Sequence, residues 1–551
     1  MCCKRASLTG VVRGNVRKEG SRQIFISGVN EMSSPTTHEN QANTKNGILR
    51  VVFVAVAFLL EIALILGIIK ANLGNYAEII AVVIRILALL LVLFIYSQNK
   101  TGSIKIPWII LILLFPPVGV SLYFLIGLSG STRKMRKRYA EMDAKLMPNL
   151  VQDEEILEAL EEQVPSCAGI SRYILNESGY PVYANTEVTY FDDAAKGIAA
   201  QKEDLKKAKS FIFMAYFAIE NKESWQAVED ILAEKAAEGL DVRVFYDDIG
   251  SIGYIDVDFV KKLEKRGIRC RVFNPMIPLL NVFLNTRDHR KMTIIDGKVA
   301  YTGGYNIANE YFNITHPFGH WKDTGVRLEG QVVPALTATF LSSWNAVRED
   351  DKDDEQFRHF FPEPEAPDAA GCVQFYSDNP MDRMPVGEDV YISMANRAQR
   401  YVYYITPYLI ITDEMTRALG LAAKRGVDVR IITPGIPDKK LVYKLTRSFY
   451  AQLVQGGVRV YEYSPGFCHA KMSVSDDIIA TCGTINMDYR SLYHHFECGC
   501  LLIGSPAVTE IRDDFLNMFP QCEEVTEKYK TGRSAGLRLG QLILRLFGPL
   551  M

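Results

Sequence analysis

The pattern His-x-Lys-x4-Asp occurs twice in this chain, as HRKMTIID from His289 to Asp296 and as HAKMSVSD from His469 to Asp476. Each copy has a Gly fourteen residues after its His, Gly303 and Gly483, and an Asn seventeen after, Asn306 and Asn486. With Lys and Asp each about one residue in twenty, the eight histidines of the chain would give about 0.02 chance matches to the three-residue core. Two matches with the same downstream offsets demand two copies of one structural unit.

The surroundings repeat as well. In the first copy FIFMAYFAI reads as a strand, 223–238 as a helix and GLDVRVFYD as a second strand; in the second copy YVYYIT, 412–425 and GVDVRIIT take the same places. Gly239 and Gly426 align, each followed by a hydrophobic residue and then Asp-Val-Arg. Alternating strands and amphipathic helices predict an α/β fold. We therefore expect two duplicated halves, 186–348 and 372–522, joined by an acidic, Pro-containing linker at 349–371 with few core contacts.

The hairpin inside each motif can be folded by hand. Strand residues i and i+2 share a face, so His289 and Lys291 point one way. Asp296-Gly297 reads as a two-residue turn, which makes 289–295 and 298–304 antiparallel and sets His289 across from Gly304. Asn306 then opens the helix NIANEYF, where free amides favour an anion. In the second copy the turn at Asp476-Asp477 sets Thr484 opposite His469, with Asn486 opening the next helix.

Each half thus presents an imidazole, an ammonium and an amide, the groups a phosphodiester needs. A neutral His attacks phosphorus, and a second, protonated His supplies the proton that a basic leaving alkoxide requires. The motif set is His289, Lys291, Asp296, His469, Lys471 and Asp476, with the two Asp read as turn residues by their parity. Asn306, Asn486, Gly303, Gly304, Gly483 and Thr484 form the expected phosphate-binding set. A carboxylate is needed on the other nitrogen of each imidazole, and we assign Glu497 to His469 and Asp323 to His289. His316, His320, His494 and His495 read as structural or surface residues, His494 and His495 with the alternative of lining the site because they precede Glu497, and Asp247 and Asp248 as strand-end caps rather than metal ligands.

Ahead of the duplicated part the chain is apolar. A polar, basic tail at 1–47, with Met32 as an alternative start, leads into a region at 48–130 holding three apolar runs, about 51–69, 78–96 and 107–127. Each is near the roughly twenty residues that span a bilayer as a helix. Glu61 and Arg85 lie within the runs, and a Glu61–Arg85 pair would relieve a cost of about 3 kcal/mol for each charge. Pro116 and Pro117 make the third run a candidate for a re-entrant segment. The cluster Arg133, Lys134, Arg136, Lys137 and Arg138 places the downstream chain in the cytoplasm. A basic, then acidic connector spans 131–185, and a basic amphipathic segment at 523–551 either lies on anionic lipid or packs on the catalytic domain.

A net charge of −2 gives no global attraction to nucleic acid, and ten scattered cysteines form no zinc framework, so they read as reduced thiols, with Cys468 and Cys482 as small buried residues.

The duplicated motif with GGxN and GTxN resembles the phospholipase D superfamily, and within it the bacterial cardiolipin synthases. FYDDIGS, DHRKMTIIDGKVAYTGGYNIANEY, GHWKDTGVRLEG, ITPYLI, AAKRGVDVRIITPGIPDKK and SPGFCHAKMSVSDDIIATCGTINMDYRSLYHHFE carry the resemblance across most of 185–520. It implies two α/β/α halves packed motif to motif behind N-terminal transmembrane helices. It also implies phosphatidyl transfer between two phosphatidylglycerols through a phosphohistidine, giving cardiolipin and glycerol, with His289 as nucleophile and His469 as acid. No cofactor and no metal are implied; the partners are phosphatidylglycerol and membrane lipid, not nucleic acid, at a multi-pass bacterial cell membrane with the catalytic part on the cytoplasmic side. A membrane phospholipase D, or a phosphatidyltransferase using water or another acceptor alcohol, is the alternative. Departures from the family pattern are Ala215 where Glu is common, Asp288 where Asn is common, Gly304 without the usual hydroxyl, and His495 where Asn is frequent.

Overall fold

The structure is a computed structural model, and it describes Ala63 and residues 77–98, 101–123, 130–275, 286–348, 353, 357–363, 366–382, 384–531 and parts of 539–548. Two mixed sheets dominate it. The first half contributes β1 (Thr186–Phe191), β2 (Phe211–Tyr216), β3 (Asp241–Asp247), β4 (Arg269–Phe273), β5 (Arg287–Asp288), β6 (Met292–Ile295), β7 (Val299–Gly303), β8 (His320–Lys322) and β9 (Gly325–Gly330). The second contributes β10 (Cys372–Asp378), β11 (Tyr401–Ile405), β12 (Asp428–Pro434), β13 (Arg459–Tyr463), β14 (Gly466–Cys468), β15 (Met472–Ser475), β16 (Ile479–Gly483), β17 (His495–Ile503) and β18 (Cys522–Glu524). The sheet orders are β1-β9-β7-β6-β2-β3-β4 and β10-β17-β16-β15-β11-β12-β13-β18. Apart from β18 they are the same order, as a duplication requires.

The central strands β2 and β11 are buried throughout, the expected state of a strand covered on both faces. The predicted helices are present as Glu223–Ala237 and Asp413–Lys424. Gly239 and Gly426 follow them with the same φ of 94°, ending each helix in the left-handed region.

The motif hairpins differ from the expected register by one residue. Met292 pairs with Thr302 and Ile295 with Val299; Met472 pairs with Cys482 and Ser475 with Ile479. The turns are three residues long because Asp296 and Asp476 take φ of 54° and 59° and turn their carboxylates inward. Asp296 accepts from the backbone N–H of Lys209, Ser210 and Phe211 at 2.7–3.0 Å. Asp476 accepts from Gln399, Arg400 and Tyr401 at 2.9–3.0 Å. The Asp of the motif therefore ties the hairpin to the entrance of the central strand. Asp476→Ala, which strands three amides, is expected to lower unfolding free energy by about 3 kcal/mol; an unchanged denaturant midpoint for the full chain in detergent would count against this role.

One hydrophobic core runs through both halves, and a second, confined to the first half, packs the other face of its sheet. The centre of the shared core is the helix Val333–Val347, thirteen of whose residues are buried. Short parallel ladders also cross between the halves: β5 pairs with the start of β17, His495 against Arg287, and β14 pairs with β8, Gly466 against His320. Asp247 supports the first of these, accepting from the N–H of Ile249 (2.9 Å) as a cap and of Asp288 (3.0 Å). A buried pair, Lys322 Nζ to Asp514 at 2.7 and 2.9 Å with Tyr190 donating to Asp514 at 2.6 Å, further joins first half to second.

The linker and connector hold more of the core than expected. Phe360 is buried against Phe211 and Phe213, and Asp353 pairs with the buried Arg243 at 2.6 Å. In the connector the basic segment forms the helix Gly130–Leu146, whose Tyr139 stacks on Phe496 at 4.6 Å. Apolar residues within these charged segments outweigh their composition.

The apolar run 51–69, and with it the Glu61–Arg85 pair, lies outside the described residues except for Ala63. The run 78–96 is the helix Ala77–Ser97, which buries Ala88, Leu91 and Ile95 against Ile112 and Tyr123 and exposes Val82, Val83, Ile86, Leu89, Leu90 and Leu93. The run 107–127 is not one helix. Gly102–Leu114 ends at Phe115, and Pro116–Leu122 folds back so closely that a Cβ on Gly119 would stand 2.6 Å from the Ile112 Cα. Pro116 at the helix start explains the break. No described helical stretch is long and apolar enough to cross a membrane. Near the C-terminus Leu544 packs on the core and Arg545 lies 4.4 Å over Phe449, so this part rests on the second half.

Candidate active site

Each motif histidine stands where the chain leaves one ladder for another. β5 is paired to the opposite half and β6 to its own sheet, and His289, Arg290 and Lys291 bridge the two. His469, Ala470 and Lys471 make the same crossing from β14 to β15. Backbone bonds pin both: His289 N–H donates to Phe496 O at 2.9 Å, and His469 N–H to Lys322 O at 2.7 Å. The residues next after Phe496 and Lys322 are Glu497 and Asp323.

The carboxylates are consequently exchanged between the halves. His289 Nδ1 lies 2.8 and 3.0 Å from the two oxygens of Glu497, and His469 Nδ1 lies 2.6 Å from Asp323 Oδ2. The expected pairing, Glu497 with His469 and Asp323 with His289, is corrected. The reason is that β17 extends past its own sheet to pair with β5, while β8 and β14 form a separate two-stranded ladder between the halves.

Gly303, Gly483, Gly304 and Thr484, expected to bind phosphate, are engaged elsewhere. A Cβ on Gly303 or Gly483 would stand 2.4 Å from the carbonyl of Thr324 or Cys498, so these two let the strands close up. A Cβ on Gly304 would stand 2.0 Å from Asp323 Oδ1; the missing side chain is where that carboxylate sits. Thr484 donates its hydroxyl to Glu497 Oε2 at 2.5 Å and accepts from Cys498 N–H at 2.9 Å. Nor do the asparagines open helices, since the next helical turns begin at Asn309 and Tyr489. Asn306 accepts from Ala218 N–H at 3.0 Å and donates to Tyr311 Oη at 2.8 Å, while Asn486 Oδ1 is buried with no partner among the described residues.

Burial governs the protonation states. It pushes His469 down to about 3, aided by the Lys471 charge and opposed by Asp323, and it holds His289 well below the usual histidine range. Both imidazoles are neutral at pH 7. Burial also lowers the ammonium of Lys471 to about 7 and that of Lys291 to about 8. For Glu497 and Asp323 burial would raise the carboxyl, but the neighbouring His and Lys outweigh it, and both fall below their ordinary values.

The two imidazoles share a tautomer set by their carboxylates. Nδ1 of His289 faces only Glu497, so it carries the proton and leaves Nε2 with a lone pair. Nδ1 of His469 faces Asp323 and also Lys471 Nζ at 2.7 Å. One nitrogen cannot donate to the first and accept from the second at once. The Asp323 carboxylate can only accept, so Nδ1 of His469 keeps its proton toward Asp323, and the Lys471 ammonium donates to the His469 carbonyl.

Four residues at this site were not among those picked from the sequence. Phe217 meets His289 edge-on at 4.8 Å, and Tyr311 and Trp321 stand 5.1 and 5.4 Å from His469, giving the imidazoles an aromatic wall. Trp321 lies in the GHWKD segment, so its nearness to Asp323 was the available signal. The fourth is His495, read as a structural or surface histidine. It lies 5.6 Å from His289, ring to ring, is 8% exposed, and neither ring nitrogen has a hydrogen-bond partner among the described residues. Among those residues, His289, His495 and Glu497 are the donors gathered closely enough to hold a metal ion.

The family model described as "Cardiolipin synthase, PLD-like domain" matches residues 202–320 and 391–519, one match per half, and the model "Phospholipase_D-nuclease N-terminal" matches 83–127. The chain is 40% identical over 455 residues to an uncharacterized protein of Streptococcus mutans serotype c, covering 83% of this chain and 98% of that one. It is 30% identical over 467 residues to a cardiolipin synthase of Listeria welshimeri, covering 83% and 95% respectively. A crystal structure of phosphatidylserine synthase from Haemophilus influenzae Rd KW20 shares the fold, with a TM-score of 0.51 at 13% identity over 69% of this chain and 97% of that one. A duplicated sheet, a motif in each copy and matches along both halves lead to one conclusion: the chain belongs to the phospholipase D superfamily, as a cardiolipin-synthase-like protein with two phospholipase D-like domains.

Proposed function

We propose that this protein is a cardiolipin synthase, moving a phosphatidyl group from one phosphatidylglycerol to another. The observation that carries the reading is the crossed pair of dyads, His289–Glu497 and His469–Asp323, within one aromatic-walled site. His289 Nε2 attacks phosphorus, and the bond to the glycerol oxygen breaks as that oxygen takes a proton from His469. The hydroxyl of a second phosphatidylglycerol then returns a proton to His469 while its oxygen displaces His289. Lys291, Lys471, Asn306 and Asn486 hold the phosphate oxygens.

Membrane lipid reaches the site because the apolar region before residue 130 holds the protein in the bilayer. The exposed face of Ala77–Ser97 supports this, and the basic start of the helix Gly130–Leu146 supports a cytoplasmic catalytic part. Expression in a cardiolipin-free bacterial host, with lipids read by mass spectrometry, tests the reading. Cardiolipin is expected from the wild type and not from His289→Ala or His469→Ala. Phosphatidic acid alone, or a phosphatidyl ester of another alcohol, would replace this acceptor with water or that alcohol.

With both imidazoles neutral in the free protein, the acid must gain its proton when an anion arrives. Binding of inorganic phosphate at pH 7 is therefore expected to take up about one proton, read by calorimetry in buffers of different ionisation enthalpy. Uptake of none would mean that His469 is not charged by the bound anion.

A further inference from the structure

His495 is a buried imidazole that the transfer reaction leaves without a task. It shares a strand face with Glu497, two residues on, and its Nδ1 lies 3.7 Å from Glu497 Oε1. The same oxygen lies 2.8 Å from His289 Nδ1. Donor atoms of all three residues fall within 4.8 Å of one another. Zinc with nitrogen and oxygen ligands at about 2.0–2.2 Å in tetrahedral geometry separates its donors by roughly 3.3–3.5 Å. The two spacings to Glu497, 2.8 and 3.7 Å, lie on either side of that range, so an ion would need the Glu497–His289 contact to open and the His495 ring to move in.

The geometry points to an inhibitory divalent-metal site, of the zinc type, built from His289, His495 and Glu497. Two imidazoles and one carboxylate leave a fourth position open, a ligand set suited to zinc. An enclosed position favours a four-coordinate ion over one needing six ligands, and both histidine rings are nearly buried, at 7% and 8% residue exposure. Glu497 and Asp323 supply two carboxylates beside Lys291 and Lys471, whose ammonium groups burial weakens, so negative charge is at hand for a cation. Among the described residues His495 has no hydrogen bond to surrender on binding.

The consequence for the reaction is a change of tautomer. In the free protein the His289 proton is on Nδ1, directed at Glu497, and Nε2 holds the lone pair that attacks phosphorus. A metal on Nδ1 sends that proton to Nε2. The ring stays neutral, yet the attacking nitrogen becomes an N–H group, while the phosphate-binding lysines and asparagines remain in place. Zinc should therefore lower kcat and leave KM for lipid largely unchanged. This kinetic part rests on the proposed role of His289; the binding part does not.

The test uses the full chain in detergent, with Zn2+ affinity measured by competition against a chromophoric chelator and Co2+ absorption reporting tetrahedral geometry. The wild type is expected to bind one equivalent, His495→Asn to bind about 100-fold more weakly, and His495→Cys, which restores a ligand, to recover binding. A wild type that binds no Zn2+, or a His495→Asn variant that binds it as tightly as the wild type, overturns the site. Loss of binding in both His495 variants alike would mark a packing effect and also overturn it. Binding as expected, with lipid turnover unaffected by Zn2+, would leave the site standing and remove His289 as the nucleophile.

Discussion

His289→Ala is expected to lower lipid transfer by about 10⁵-fold or more, the scale on which loss of a covalent nucleophile acts. His469→Ala should cost about 10²–10⁴-fold, because it removes proton transfer rather than the bond to phosphorus. The double variant should be little worse than His289→Ala alone, since residues that act in one step do not contribute additively. Initial rates with phosphatidylglycerol vesicles check all three, and a His289→Ala protein retaining a tenth of wild-type turnover would remove this histidine from the covalent step.

The second large effect concerns the exchanged carboxylates. Glu497→Gln keeps the shape of the residue but no longer holds the proton of His289 on Nδ1, and a loss of about 10⁴-fold is expected, as in triads where the buried carboxylate becomes an amide. Asp323→Asn acts on His469 instead. A phosphatidyl ester of p-nitrophenol separates the two, because that leaving group departs without an acid. With it, His469→Ala and Asp323→Asn should release p-nitrophenol in a burst and stall at the phosphohistidine. His289→Ala and Glu497→Gln should show no burst. If each carboxylate instead served the histidine of its own half, Glu497→Gln would behave like His469→Ala.

Thr484 and Gly304 show how the two copies diverged around their carboxylates. Glu497 is one methylene longer than Asp323 and takes a hydroxyl from Thr484. Asp323 occupies the volume that a side chain on Gly304 would need. The longer acid thus goes with the hydroxyl and the shorter with the bare glycine, so Gly304→Thr is expected to dislodge Asp323 unless the acid moves with it.

Much was legible without coordinates because it depends on local pattern. The strands FIFMAY and YVYYI, the helices after them, the turn role of Asp296 and Asp476, and the identities of His289, Lys291, His469 and Lys471 all come from spacing and parity along short stretches of chain. The hairpin register was off by one residue because the turn type depends on three amides, from Lys209 to Phe211, that lie far away in sequence. Asn306 and Asn486 read as helix starts because polar spacing cannot reveal that the next helical turn begins three residues later. His495 read first as a structural or surface residue because its neighbour in space, His289, is 206 residues away in the chain; only its place before Glu497 pointed to the site.

The sequence by itself determined that there are two equivalent units, that each carries a histidine and a lysine on one face, and that an apolar region precedes them. Only the tertiary structure decided which carboxylate serves which histidine. Secondary structure and motif parity are set by interactions over a few residues. The partner of an imidazole is set by which strand reaches across, and here β5 and β14 pair with the opposite half. The halves are bound to each other by the ladders that build the site, so neither half contains a complete dyad.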